Sequence, residues 1–144
     1  MTTRNKIEFY LREVSGNQIL DKNGIIFKDI AYILVFVDGV NLFTLDFFED
    51  SFLVFDELYK STLKSGKYLL FTGASGIADE AGWDYIDVLH DEHLVTWNMR
   101  MDDVHLSYFF DRIAYLREFS EIAKDIANLS NSLKLEPLYV IYPE

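Results

Sequence analysis

The sequence predicts an α+β fold, in which a single mainly antiparallel sheet carries two helices packed on it, within one domain of residues 1–144. Three observations lead to this prediction. The first third of the chain has strand patterns separated by tight turns, and two later segments have apolar residues at helical spacing. No linker or internal repeat divides the chain, whose 144 residues are enough for one sizeable core.

The N-terminal third is predicted to form a meander of strands. Ile7–Val14 begins with alternating apolar residues, which is typical of a strand with one buried face. Ile30–Val37 is apolar without interruption, as in strands that are covered on both faces. Asp38-Gly39 then favours a tight hairpin turn into a strand over residues 40–47, and Asn23-Gly24 indicates an earlier turn of this kind.

Two segments have the periodicity of amphipathic helices. Glu49 and Asp50 suit the positive end of a helix dipole, and the segment after them has apolar residues along one side until Gly66, which is expected to end the helix. Asp111 is a favourable N-cap for a longer helix over residues 112–131. Seven residues form its predicted buried stripe: Tyr115, Leu116, Phe119, Ile122, Ala123, Ile126 and Leu129.

The segment between the helices is predicted to be mainly strand. A Gly-rich loop follows a short strand over residues 67–71, and residues 83–89 and 94–99 are expected to form a hairpin. Within that hairpin, Trp97 alternates with other apolar residues, which predicts that it is buried. Residues 105–110 are expected to add a last half-buried strand.

Composition limits the classes of function. The net charge is −11, from 24 acidic and 13 basic residues, which opposes binding to nucleic-acid backbones or anionic membranes. The charge favours a basic protein partner, a cation, or solubility alone. Cysteine is absent, which excludes disulfides, thiol catalysis and cysteine-zinc sites. The N-terminal residues lack a signal-peptide core and the longest apolar run is too short to span a bilayer, so a cytoplasmic protein is expected.

The Gly-rich loop is similar to two known motifs but differs from both in detail. Residues 72–77 follow a strand, as a dinucleotide-binding loop does, but the glycine spacing is one residue short. Asp79 and Glu80 would also repel a pyrophosphate. Ser75 does not lie in a G-x-S-x-G nucleophile elbow. We therefore expect a tight loop and no nucleotide cofactor.

The three histidines leave an enzymatic alternative open. His90 and His93 bracket two carboxylates, and His105 follows Asp102-Asp103, so a metal-assisted hydrolase is the alternative if these side chains converge. In a hairpin, however, His90 and His93 lie at opposite ends of the turn, without the fixed spacing of a helical zinc motif. The adjacent acidic pairs likewise do not supply the facing carboxylates of a glycosidase. We expect no catalytic residue, metal or cofactor.

One block of the chain resembles a group of small bacterial proteins, and it comprises SGIADEAGW at residues 75–83, IDV at 86–88 and VTW at 95–97. Those proteins have a C-G-x-x-x-C-x-G loop ending in an aromatic residue, then a hairpin, an aromatic strand and a helix. They are similar to immunity proteins of polymorphic-toxin and contact-dependent inhibition systems. The resemblance covers roughly residues 68–125. Ser75 and Glu80 stand where the two cysteines would fall, so no property of those thiols is carried over.

The resemblance implies a non-enzymatic binding protein that neutralises a basic toxin by covering its active site. An acidic face would attract a cleft that is built to bind phosphates. The candidate contact residues are six carboxylates and one apolar anchor: Asp79, Glu80, Asp84, Asp87, Asp91, Glu92 and Trp83. A small adaptor domain, acidic for solubility only, is the third alternative.

Overall fold

The computed structural model of the chain describes residues 4–22, 24–49, 51–73, 85–101 and 104–137. Its helices are α1 (Phe55–Ser61) and α2 (Arg112–Ala127), and two 3-10 turns lie at Leu42–Thr44 and Asp46–Phe48. The predicted α+β class, with two helices and mainly antiparallel strands, is confirmed. The strands are β1 (Ile7–Val14), β2 (Leu20–Lys22), β3 (Ile25–Phe27), β4 (Ile30–Val37), β5 (Val40–Asn41), β6 (Ser51–Leu53), β7 (Gly66–Tyr68), β8 (Phe71–Gly73), β9 (Ile86–His90), β10 (Leu94–Met101), β11 (Val104–Asp111) and β12 (Lys134–Leu135).

The strands do not form the single sheet that the sequence predicts. Within the described residues, sheet I consists of β11, β10, β9 and β7 in that order, and all its neighbours are antiparallel. Sheet II consists of β4 with β1 on one edge and β5 and β12 on the other. The pairs β2–β3 and β6–β8 are separate. The prediction is wrong because the periodicity of a strand specifies its buried face and not its pairing partner.

The two sheets meet at a seam near the N-terminus. The backbone N–H of Asn5 donates to the carbonyl of Phe109 at 2.6 Å, and the N–H of Phe109 donates to Oδ1 of Asn5 at 2.8 Å. Nδ2 of Asn5 donates to Asp38 at 2.7 Å, in the turn between β4 and β5. Arg4 forms an ion pair with Asp111 at 2.7 Å. These contacts hold the start of β1 beside the edge strand β11.

The main core lies between the two sheets and the helices, and it is rich in aromatic rings. Trp97 of β10 is fully buried, which confirms the prediction from its alternation. Its ring centroid lies 5.0 Å from that of Phe110 and 6.0 Å from those of Phe71 and Tyr115, all in edge-to-face geometry. The core therefore leaves the opposite face of sheet I free to form a surface.

The segment after β4 differs most from the prediction. The Asp38-Gly39 turn is confirmed, with φ angles of 53° and 80°, but β5 ends at Asn41 and two 3-10 turns follow it. The first helix begins at Phe55, and Val54 precedes it without a side-chain cap. It ends at Ser61, before Gly66 is reached. The chain from Ser51 to Leu53 is strand β6 instead of helix.

The second helix is close to the prediction. Asp111 is its N-cap, and the side chain accepts a hydrogen bond from the N–H of Ala114 at 2.9 Å. The helix ends at Ala127, short of the predicted residue 131. Neither helix in the described ranges has both the length and the apolar character needed to cross a membrane.

Candidate functional site

The structure describes three of the seven predicted contact residues. Asp87 lies on β9, and Asp91 and Glu92 lie in the turn between β9 and β10. Asp91 lies four positions after Asp87, which corresponds to about 13 Å in a strand. The three described residues of the predicted acidic set are therefore spread along the hairpin. The other predicted contact residues lie outside the described residues: Asp79, Glu80, Trp83 and Asp84.

The turn of the hairpin is held by the carboxylate of Asp91. Its Oδ1 accepts hydrogen bonds from the backbone N–H groups of His93 and Leu94, each at 2.7 Å. The hydrogen bond from His93 and then the one from Leu94 lower the pKa of Asp91 below its ordinary value. The carboxylate is thus negatively charged at neutral pH and fixed in direction.

Residues 91–93, which we name the hairpin tip, combine this fixed turn with an exposed acidic group. The Glu92 side chain is 88% exposed, and its carboxylate lies 4.0 Å from Nε2 of His93. The backbone carbonyl of His93 accepts a hydrogen bond from the N–H of Arg112 at 2.8 Å. The start of α2 therefore holds the hairpin tip in place, which keeps its acidic group on an ordered turn.

A second feature, which we name the outer cleft, lies on the face of sheet I that points away from the core. Side chains alternate along β10, so Asn98 and Arg100 point outward while Trp97 is buried. The cleft has a volume of about 530 Å³. Its lining residues are Lys67, Tyr85, Asp87, Asn98, Met99, Arg100 and His105.

The strand register sets the arrangement of these side chains. Asp87 lies between Lys67 of β7 and Asn98 of β10 as their directly paired residue. Arg100 is paired with His105 on β11. Directly paired residues point to the same face of a sheet, with Cβ atoms about 5 Å apart. The polar side chains of four strands are thus brought to one surface.

The outer cleft has the opposite sign of charge to the whole chain. Among the lining residues that the structure describes, Lys67 and Arg100 are positive and Asp87 is negative, which gives a net charge of +1 with histidine counted as neutral, against −11 for the chain. Among these residues, the sequence predicts a role for Asp87, as part of an acidic face, and for His105, as a metal ligand in the hydrolase alternative. The alternation of Asn98 and Arg100 with buried residues indicates that they point outward, but their proximity to Lys67 depends on strand pairing.

The histidines of the hydrolase alternative do not converge in the structure. His90 pairs with Val95 and His105 with Arg100, five residues further along β10, which corresponds to about 17 Å. Nε2 of His90 lies 2.6 Å from the backbone carbonyl of Ser61. Within the described ranges, no group of three or more His, Asp and Glu side chains is placed to hold a metal ion.

The chain was also compared with known proteins. No family model, no curated protein and no solved structure matches it.

Proposed function

We propose that this chain is an acidic, non-enzymatic binding protein, and that it acts as an immunity protein covering the active site of a basic toxin. The observation that carries the proposal is the hairpin tip: an exposed carboxylate, Glu92, on a turn fixed by Asp91, in a chain of net charge −11. The family resemblance of the block from residue 75 to residue 97 supports it. Because cysteine is absent, the fold needs no disulfide, which agrees with action in the cytoplasm.

The physical mechanism is electrostatic attraction followed by close contact. A toxin that cuts nucleic acid needs a basic cleft for the phosphates, and a strongly acidic partner speeds the encounter with such a cleft. An ordered tip also loses little conformational entropy when it binds. The apolar anchor of the proposal is Trp83, which would slow dissociation.

The three described contact residues contribute unequally to this mechanism. Glu92 is exposed and free to meet a cationic side chain. Asp91 adds its charge, although its Oδ1 is occupied by the turn. Asp87 lies between Lys67 and Asn98 in the outer cleft, where a neighbouring cation weakens its attraction for a basic partner. We therefore expect Glu92 to contribute most among these three.

The proposal is tested by capture and then by rescue. The tagged full chain is incubated with a lysate of its source cells at low salt, and bound proteins are released by raising the salt concentration and identified. The proposal expects a basic protein that stops growth when it is expressed alone and no longer does so when this chain is co-expressed. A captured protein that is not toxic, or whose toxicity persists, would contradict the proposal and favour an adaptor.

Paired variants show whether the hairpin tip makes the contact. Glu92→Gln removes one negative charge at the tip, and Glu13→Gln removes one from an exposed position of β1. We expect the first variant to slow association with the captured toxin several-fold at low salt and the second to have little effect. Equal effects of the two variants would assign the attraction to net charge alone and remove the tip from the proposal.

A further inference from the structure

We propose that the outer cleft binds a small molecule that carries a phosphate or carboxylate group. This inference goes beyond the proposed immunity function, which concerns a protein partner at the hairpin tip and shares only Asp87 with the outer cleft. The volume of about 530 Å³ lies within the range of small-molecule sites. The argument depends on the donor groups that line the cleft, on their freedom from protein partners and on their spacing.

Hydrogen-bond donors dominate the cleft. The ammonium group of Lys67 and the guanidinium group of Arg100 only donate, and the side-chain amide of Asn98 supplies two further donors. Among the described lining residues, the one carboxylate is that of Asp87. Phosphate and carboxylate oxygens accept hydrogen bonds and carry negative charge, so they match this surface in both respects.

These donors have no acceptor among the residues that the structure describes. In the part of the chain that the structure describes, Lys67 and Arg100 form neither an ion pair nor a side-chain hydrogen bond. Ser107 donates its hydroxyl to Oδ1 of Asn98 at 2.7 Å. That bond orients the amide of Asn98, whose Nδ2 protons have no acceptor among the described residues. A bound anion would replace water at these donors.

The spacing allows the two cations to reach the same anion from opposite sides. Lys67 and Arg100 lie on strands that have β9 between them, and Arg100 is two residues beyond the position level with Lys67, which places their Cα atoms about 12 Å apart. Both side chains are long enough to close that distance. His105, paired with Arg100, adds a ring nitrogen at the same end. Asp87 lies close to both cations, and its carboxylate repels an anion. It therefore lowers the affinity for a small anion that makes no other contact in the cleft.

The test is a titration of the isotopically labelled full chain, followed by NMR at constant ionic strength. The probes are inorganic phosphate and succinate, and the signals are the side-chain amide of Asn98 and the Nε–H of Arg100. We expect saturable shifts of both signals, with a dissociation constant on the order of 1 mM, because a small anion makes few contacts. Shifts with phosphate alone, with succinate alone or with both would each support the site and state which anion it accepts.

Four single-residue variants make the test specific. Lys67→Gln and Arg100→Gln should each weaken binding by about tenfold, because each removes a charge-assisted hydrogen bond. Asp87→Asn should strengthen binding, since it removes the one repelling carboxylate. Lys28→Gln is the control, because Lys28 is exposed, forms no ion pair in the described residues and lies outside the cleft. It removes the same charge and should change binding less than twofold.

Two results would overturn the inference. The first is the absence of a saturable shift up to about 20 mM of either anion, well above the expected dissociation constant. The second is equal weakening by Lys28→Gln and Lys67→Gln, which would show that the anions respond only to overall charge. Thermal unfolding of each variant establishes that it is folded. Neither result bears on the toxin test, which measures a protein partner and depends chiefly on Glu92 at the hairpin tip.

Discussion

Lys22 carries its charge in a buried position because its ammonium group lies in an aromatic cage. Its Nζ lies 4.7 Å from the ring centroids of Phe43 and Phe52 and 5.8 Å from that of Tyr32. The same atom donates a hydrogen bond to the carbonyl of Ser51 at 2.6 Å. The negative faces of aromatic rings attract a cation, most strongly where water is excluded. Lys22 therefore fastens the β2–β3 hairpin to the rest of the molecule.

Replacing Lys22 with alanine should lower the free energy of unfolding by about 2–3 kcal/mol, because it removes the cation–π contacts, the hydrogen bond and the buried stem. The measurement is equilibrium unfolding in urea. Lys28→Ala removes the same side chain from an exposed position and should change stability by no more than about 0.5 kcal/mol. Equal losses in the two variants would contradict a role for the cage.

Tyr115 connects sheet I to both helices through its buried hydroxyl. Nε1 of Trp97 donates to this hydroxyl at 3.1 Å, and the hydroxyl lies 2.7 Å from Oγ of Ser61. Ser61 in turn donates to the carbonyl of Leu58 at 2.5 Å, so its oxygen is left to accept from Tyr115. Each polar group in this series of hydrogen bonds therefore has a partner, as buried polar groups require.

Tyr115→Phe should lower the free energy of unfolding by about 1–3 kcal/mol, since the indole N–H of Trp97 would lose its acceptor inside the core. Urea unfolding at neutral pH measures this loss. The matched control is Tyr59→Phe, which removes a hydroxyl from a side chain that is 47% exposed. A control variant that loses as much stability as Tyr115→Phe would show that the hydrogen bonds of Tyr115 add nothing to the free energy of unfolding.

The same hydroxyl makes stability dependent on alkaline pH. Burial raises the pKa of Tyr115 above its ordinary value of 10.0. The folded protein thus holds this proton more tightly than the unfolded chain does. Its contribution to stability is complete below pH 10 and is lost as the pH rises above that value. We expect Tyr115→Phe to reduce the loss of stability above pH 10 by about 1.4 kcal/mol per pH unit. Parallel curves for the two proteins in that range would contradict this expectation.

At the scale of elements, the β9–β10 hairpin depends on the side chain that closes its turn. Asp91→Ala should speed hydrogen exchange at the amides of His93 and Leu94, because both lose their acceptor. Asp91→Asn keeps an acceptor oxygen and should preserve most of the protection. In the wild type this protection should be present above about pH 4 and should fall as the pH drops through the lowered pKa of Asp91. Unchanged exchange in Asp91→Ala would mean that the strands alone set the turn.

Elements whose buried face is decided locally could be predicted from the sequence, and those decided by distant partners could not. The Asp111 cap and its apolar stripe identify α2, and uninterrupted apolar residues identify β4. Phe52 also fits the spacing of a helix. In the structure it packs edge to face on Phe27 and Tyr32, at 5.3 and 5.6 Å, and its strand pairs with β8. Those partners lie too far along the chain for periodicity to detect.

At the scale of the whole molecule, dependence on distant partners also explains which parts of the candidate sites the sequence could predict. The hairpin tip is formed by consecutive residues, so the sequence could predict its acidic turn. The outer cleft is assembled from β7, β9, β10 and β11, and only the register places Lys67 beside Asp87. From its neighbours in sequence, Asp87 is predicted to lie on an acidic face. Its described neighbours across the sheet, Lys67 and Arg100, give the cleft a net positive charge.

Asn5 joins the two sheets, so its contacts should matter to the molecule as a whole. It accepts from the N–H of Phe109 and donates to both the Phe109 carbonyl and Asp38. Asn5→Ala removes both side-chain bonds and leaves the N–H of Phe109 without its acceptor. The free energy of unfolding should fall by about 1–3 kcal/mol.

The measurement is urea unfolding followed in parallel by far-UV circular dichroism, which reports both sheets, and by tryptophan fluorescence, to which Trp97 in the core of sheet I contributes. If the seam couples the sheets, the two signals of Asn5→Ala shift together to lower urea and remain coincident, since the rest of the shared core still links the sheets. Asn131→Ala, at an exposed position beyond α2, should leave both transitions within about 0.5 kcal/mol of the wild type. An Asn5→Ala protein as stable as the wild type would show that the shared aromatic core holds the sheets together without the seam.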